Sequence, residues 1–304
     1  MPESKFRNHL GSASNRHSYS GEREEMSNRF KPIKIKGPSQ GYCQICCEFG
    51  ALTYDHVPPQ GATTLTSVEI RTLSQSFGGT TAKPAYSQNG VKFRTICSHC
   101  NNVKLGANHD PHLVDLCDEL ATYLRAVVNG NLYVGDKRKI IVKPQRIAKA
   151  VAGHLLAGCV PERHDVEPIS APVPDTLRDY FLSENAPLPE NVEIYYWLYP
   201  SKLQKILNYF VFADIRYKNF ISASVLKFFP LSFMLLWDKP QSITVPHQLL
   251  LPRKDIGIDE IAALEVDFQN IPPINWPEAP GDHGYVMFND SVTAVAQEKP
   301  KRVR

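Results

Sequence analysis

The sequence predicts an α+β protein whose sheet is mostly antiparallel, and three observations carry that expectation. Two C-x2-C pairs bound a strand, strand, helix segment between Gly41 and Asp110. Amphipathic helical spacing follows it. Long aromatic and β-branched runs then fill the second half without the regular βαβ alternation of a parallel sheet. The 304 residues suffice for a large core, and the composition, 42% hydrophobic and 21% charged, is that of an ordinary globular chain. A formal charge of +3 excludes a uniformly basic coat and leaves room only for local basic patches. No internal repeat is present.

Residues 1–40 are polar, rich in Ser, Asn and Arg, and without periodicity, which predicts a flexible arm; Lys31, Lys34 and Lys36 lie near its end. In residues 41–110 "LTYDHV" reads as a strand stopped by Pro58 and Pro59, and "VKFRTI" as its partner. Residues 60–90 read as an insertion with one short helix around "SVEIRTLSQSF", and "CNNVKLGAN" as a helix of two to three turns. Residues 111–290 form a helical connection and an α+β domain. Leu113, Leu116, Cys117, Leu120, Leu124 and Val127 mark one helix face. "NLYVGDKRKIIV" reads as a hairpin, "KPQRIAKAVAGHLLAGC" as a helix from near Pro144, residues 161–174 as a proline-rich linker and "DTLRDYFL" as a helix. "VEIYYWLY", "LNYFVFADI", "FISASVLKFFPLSFMLLW" and "SITVPHQLLL" read as strands, and residues 291–304 as a basic tail.

No uncharged apolar run reaches the roughly 18 residues of a membrane helix. The first thirty residues lack the apolar core of a secretory signal. Both observations lead to the expectation of a cytoplasmic protein with no membrane partner, in a reducing compartment where seven cysteines serve as metal ligands or buried thiols rather than disulfides.

Cys43 with Cys46 and Cys97 with Cys100 have the spacing that clamps two sides of a tetrahedral Zn2+. Four thiolates leave no open coordination position, so such a site is structural and contributes folding free energy. Cys47 is an alternative to Cys46 that the paired spacing disfavours. Cys117 and Cys159 fall on apolar helix faces and read as packing residues. His99 reads as a knuckle residue, and His109 and His112 as exposed helix-end histidines.

"CQIC", "YDHVPPQ" and "CSHCNNVKLG" together resemble the HNH endonucleases of the ββα-metal superfamily, in the subtype with a zinc knuckle. The likeness covers residues 41–110. It implies a ββα-metal module that hydrolyses DNA, leaving 5′-phosphate and 3′-hydroxyl ends. His56 would be the general base, since an imidazole near neutrality can take a proton from water. Asp55 and Asn101 would offer oxygen ligands to a catalytic Mg2+ or Mn2+, with Asn102 as the rival of Asn101. Arg94 and Lys104 would hold phosphates. Adjacent strand residues face opposite sides, so Asp55 and His56 reach one site only through a twist or bulge. The family's middle Asn, which orients the base, is replaced at its usual offset by Lys92 or Phe93, with Asn89 upstream. The partners expected are double-stranded DNA and a second copy of the chain or a regulatory protein, and a separate C-terminal domain suits a nuclease held inactive in bacterial or phage defence. The alternative is a non-catalytic, zinc-stabilised module that binds nucleic acid or protein.

Overall fold

The cysteine-bounded segment folds around a three-stranded antiparallel sheet. The computed structural model describes residues 37–63, 66–76, 83–131, 135, 137–214, 219–278, 285–288 and 294–299, so the expected arm lies, up to residue 36, outside the described residues. Strands β1 (Gln40–Tyr42) and β2 (Phe49–His56) pair first. The chain then leaves to form β3 (Val68–Arg71), the one-turn helix α1 (Leu73–Ser76) and β4 (Ala85–Ser87). It returns as β5 (Lys92–Cys97), which completes the order β1-β2-β5. The segment "SVEIRTLSQSF" therefore opens as a strand, and the short helix expected there is confined to the turn Leu73–Ser76. Val68 and Ile70 are buried between less buried Glu69 and Arg71, a period of two that outweighs helix propensity. Only after Thr72 does the backbone turn, through a reciprocal cap in which Thr72 N–H donates to Gln75 Oε1 (2.9 Å) and Gln75 N–H to Thr72 Oγ1 (3.2 Å).

Behind β5 the chain is π-helical from His99 to His109 and continues without a break into α2 (Asp110–Val128). The Asp110 N–H donates to the Leu105 carbonyl, five residues back. The stop expected near Gly106 and Asn108 is absent, and the expected boundary at residue 110 lies inside one helical run. Leu113, Leu116, Cys117 and Leu120 are buried on α2, as their spacing predicts.

Strand β6 (Lys137–Val142) precedes helix α3 (Pro144–Ala157), which is buried along its whole length, and helix α4 (Pro172–Leu182) packs on it. Gly153 on α3 lets this contact close. A Cβ there would lie 2.5 Å from Phe181 Cε2 and 2.6 Å from Leu105 Cδ2. Gly153→Val is accordingly expected to cost about 1–3 kcal/mol in a urea unfolding experiment, by overpacking three elements at once.

The second half supplies β7 (Val192–Leu198), β8 (Gln204–Asp214), β9 (Asn219–Phe228), β10 (Leu231–Trp237), β11 (Gln248–Leu249), β12 (Ala262–Asp267), β13 (Tyr285–Phe288) and β14 (Ala294–Glu298). Among the described residues the large sheet has nine strands in the order β11-β7-β10-β9-β8-β14-β3-β4, with β13 also on β8. All its pairings are antiparallel. Its interior strands are covered on both faces. Ile194, Tyr196 and Leu198 join the core shared with the helices, while Tyr195 and Trp197 join a second cluster on the opposite face. This explains why the sequence runs are continuously apolar.

"FISASVLKFFPLSFMLLW" is two strands turning at Phe229 and Pro230, and "SITVPHQLLL" contributes only two strand residues. Strand β6 pairs with β12 rather than within its own expected hairpin, part of which lies outside the described residues. The expected basic tail holds a strand, β14, between β8 and β3. Through β3, β4 and β14 the cysteine-bounded segment and the C-terminal region share one sheet, and the described residues all fall in one compact unit. No helix among the described residues is long and apolar enough to cross a membrane.

Candidate functional site

The two knuckles converge. The sulfurs of Cys43, Cys46, Cys97 and Cys100 lie within 4.8 Å of one another, and among the described residues this is the one group of three or more His, Cys, Asp or Glu side chains placed to share an ion. Cys46 Sγ and Cys97 Sγ are 3.8 Å apart, close to the edge of a tetrahedron built on Zn–S bonds of about 2.3 Å. Backbone N–H groups already point at the sulfurs: Ile45 and Cys97 donate to Cys43 Sγ at 3.4 and 3.3 Å, and Cys100 to Cys97 Sγ at 3.5 Å. The hydrogen bond from the Cys100 thiol and those backbone donors draw Cys43 down to about 5, while burial pushes Cys46 up to about 12. Four thiols packed this closely cannot all ionise without a cation among them. The set can hold a metal ion such as zinc. Cys47 stands outside it, and Cys117 is buried on α2. His99 is exposed on the π-helix, whereas His109, expected at an exposed helix end, is buried with its ring edge-on to Phe181.

The hairpin formed by β2 and β5 has two unlike faces. Its register pairs Tyr54 with Arg94, Asp55 with Phe93 and His56 with Lys92. The bulge falls between Thr53 and Tyr54, before the Asp-His step, so Asp55 and His56 retain ordinary alternation. Asp55 and Phe93 face the core, at 5% and 0% exposure. Tyr54, His56, Lys92 and Arg94 share the other face, where the Arg94 guanidinium lies 4.3 Å above the Tyr54 ring.

On that face the His56 imidazole is held by one nitrogen. Nε2–H donates to the main-chain carbonyl of Asn89 at 3.0 Å, which leaves Nδ1 as the lone-pair nitrogen. Burial first, and the charge of Lys92 after it, lower the His56 pKa and keep the ring neutral near pH 7. Asn89 and Gly90 both have positive φ, at 59° and 86°, the turn that aims the carbonyl.

Asp55 has another partner. Its Oδ2 lies 3.3 Å from His154 Nδ1, and His154 Nε2 lies 2.9 Å from Asp110 Oδ1, so a fully buried imidazole from α3 bridges β2 to the start of α2. The 3.3 Å contact is an ion pair with imperfect hydrogen-bond alignment, since neither Asp55 Oδ2 nor His154 Nδ1 completes a hydrogen bond. Burial opposes the charge on His154, but the carboxylates of Asp110 and Asp55 outweigh it and raise the pKa to about 10. Burial raises Asp55.

Asn101 clamps the π-helix to β2. Its Nδ2 donates to Thr53 Oγ1 (3.0 Å) and to the Tyr54 carbonyl (2.9 Å), while Asn102 only reaches Ser98. Lys104 donates to the Leu182 carbonyl at the end of α4 and does not join the Arg94 face. The structure thus unites the four cysteines, and it unites Asn101 with β2. It does not bring Asp55 and His56 to one side, and Asp55 is committed to His154. These residues do not fit an assembled divalent-ion set drawn from Asp55 and Asn101.

No protein-family model, curated protein or solved structure matches the chain. The reading of the site therefore rests on its own geometry. Tyr54 and His154 escaped the sequence, and Asn89 and Lys92 were named only for their nearness to the place of the family's middle Asn, not for the carbonyl and the cross-strand charge they supply to His56. The Asn89-Gly90 step is a hairpin-turn signal that could have located the acceptor for His56. Tyr54 and Lys92 follow from counting alternation outward from His56. His154 carries no such signal, because one histidine in an apolar helix does not reveal its partners.

Proposed function

We propose that the chain is a zinc-stabilised endonuclease of the HNH kind that hydrolyses phosphodiester bonds in DNA, with His56 as general base. One observation carries the reading: His56 is tethered through Nε2–H to a carbonyl, so a neutral Nδ1 is kept as proton acceptor on an open face. In-line attack on a phosphodiester requires a water deprotonated at such an atom. Cations must also meet the charge that develops on the phosphoryl oxygens, and Lys92 and Arg94 flank His56 on the same face. Tyr54, 41% exposed, offers a ring for a base to stack on. The four cysteines supply the rigid frame, and zinc suits them by donor type. Mg2+ or Mn2+ is expected from the resemblance. For Asp55 to serve such an ion, its carboxylate has to part from His154.

Supercoiled plasmid incubated with Mg2+ or Mn2+ is expected to be nicked, and His56→Ala to slow nicking by about 10²–10⁴-fold, the usual share of a general base. The acidic limb of the pH profile should fall below the ordinary histidine value of 6.5, since the His56 pKa is lowered. Equal cleavage by wild type and His56→Ala removes His56 from the mechanism.

The pairing of Asp55 with His154 favours a second reading, a zinc-stabilised nucleic-acid-binding module without catalysis. It predicts DNA binding that survives His56→Ala, falls in Lys92→Glu, and is accompanied by no cleavage with any divalent ion.

A further inference from the structure

A polar cavity opens on the large sheet, and no part of the nuclease reading uses it. Its volume is about 360 Å³, and Arg71, Gln75, Lys205, Asn275 and Gln297 are among the residues lining it. The size is at the small end for ligand sites. Its walls carry more donors than acceptors.

Lys205 and Lys227 are cross-strand partners on β8 and β9, at 3% and 0% exposure, and they share the single carboxylate of Glu278. Asn275 Oδ1 takes a further hydrogen bond from Lys205 at 2.8 Å, and the carbonyls of Ile274 and Trp276 take others from Lys227. These neutral acceptors do not cancel the second positive charge. Burial depresses Lys227 to about 8, against the opposing pull of the Glu278 carboxylate. Arg71 is matched by Glu69 at 3.3 Å, so among the described residues the cluster keeps a net positive charge. Gln75 is 6% exposed, its Oε1 is used by the cap of α1, and its Nε2 is buried with no partner among the described residues. A buried donor left unmade costs about 1–3 kcal/mol, so an acceptor brought to Gln75 Nε2 would be stabilising there.

We infer that this cavity is an anion-binding pocket for a phosphate group, with Gln75, Lys205 and Arg71 as its donors. Several donors converging from β3, α1 and β8 suit a tetrahedral oxyanion. Free phosphate and a small phosphomonoester share this chemistry.

Inorganic phosphate, titrated at constant ionic strength against chloride, is expected to raise the melting temperature of the full chain saturably. Gln75→Glu retains an oxygen for the Thr72 cap while placing a carboxylate where the donor stood, so it should fold, melt higher without phosphate and lose the response. Arg71→Gln changes a half-exposed side chain and should weaken phosphate binding by about tenfold, the equivalent of about 1.4 kcal/mol. Adenosine 5′-monophosphate acting at lower concentration than phosphate identifies a phosphomonoester as the ligand, and acting no better identifies free phosphate. A wild-type shift no larger than that of chloride, or a full shift retained in Gln75→Glu, overturns the assignment. Neither result bears on plasmid cleavage.

Discussion

Cys43→Ser is expected to release the metal and abolish folding of the segment from β1 to the π-helix, leaving little soluble protein. Cys43 is fully buried, accepts two backbone N–H groups and sits among three other sulfurs. A serine hydroxyl is a poor ligand for zinc and cannot span the longer bond. Apparent zinc binding to structural cysteine sites is worth about 10–16 kcal/mol in small peptides, against a net stability of about 5–15 kcal/mol for a whole domain. Losing even half of the former exceeds much of the latter. The damage should spread beyond the knuckle, because Arg178 of α4 donates to the Gln44 carbonyl and Thr95 of β5 to the Ala157 carbonyl at the end of α3. Elemental analysis should find one zinc per wild-type chain and almost none in the variant, and a chelator should lower the wild-type melting temperature. Cys47→Ser is the control. Its thiol lies outside the cluster, so metal content should be unchanged. Wild-type protein that holds no zinc and melts identically with chelator would contradict the proposed role.

What the sequence discloses and what it hides divide along a physical line. The cysteine pairs, the two strands around Asp55 and Lys92, the amphipathic face of α2 and helix α3 were all legible, because each is set by a local period or by fixed ligand spacing. The swap of helix for strand at Val68–Arg71 was not, since that segment takes its shape from pairing with β14, more than two hundred residues away. The π-helical stretch hid for another reason: its sequence is compatible with an ordinary helix, and its width is fixed by burial of Cys100, Leu105 and His109 together. At the site, the residue types were readable and their directions were not. Asp55 and His56 look like one pair in sequence, yet alternation sends the carboxylate to His154 and the imidazole to Asn89. The deciding partners are a main-chain carbonyl, marked only by the Asn89-Gly90 turn signal, and a histidine from a distant helix, which leaves no local pattern.

The buried bridge through His154 is expected to dominate the response of stability to pH. His154→Leu leaves the carboxylates of Asp55 and Asp110 without their shared cation, and breaking a buried ion pair in this way costs about 3–5 kcal/mol. The double variant Asp55→Leu, His154→Leu should recover part of that loss, since replacing buried charges by apolar side chains often comes close to neutral. The pKa of His154 is raised from 6.5 to about 10 on folding, so the native state holds a proton that the unfolded chain gives up. The stabilisation is complete below pH 6.5 and disappears as pH climbs through about 10. Asp55, also raised by burial, acts in the same direction. Urea unfolding at pH 6 and pH 9 should therefore show wild type losing more stability than His154→Gln between the two conditions. Thiol and metal effects are common to both proteins and cancel in that difference. Parallel losses would mean that the imidazole is neutral in the folded protein, in which case Asp55 would have to be the protonated member of the pair.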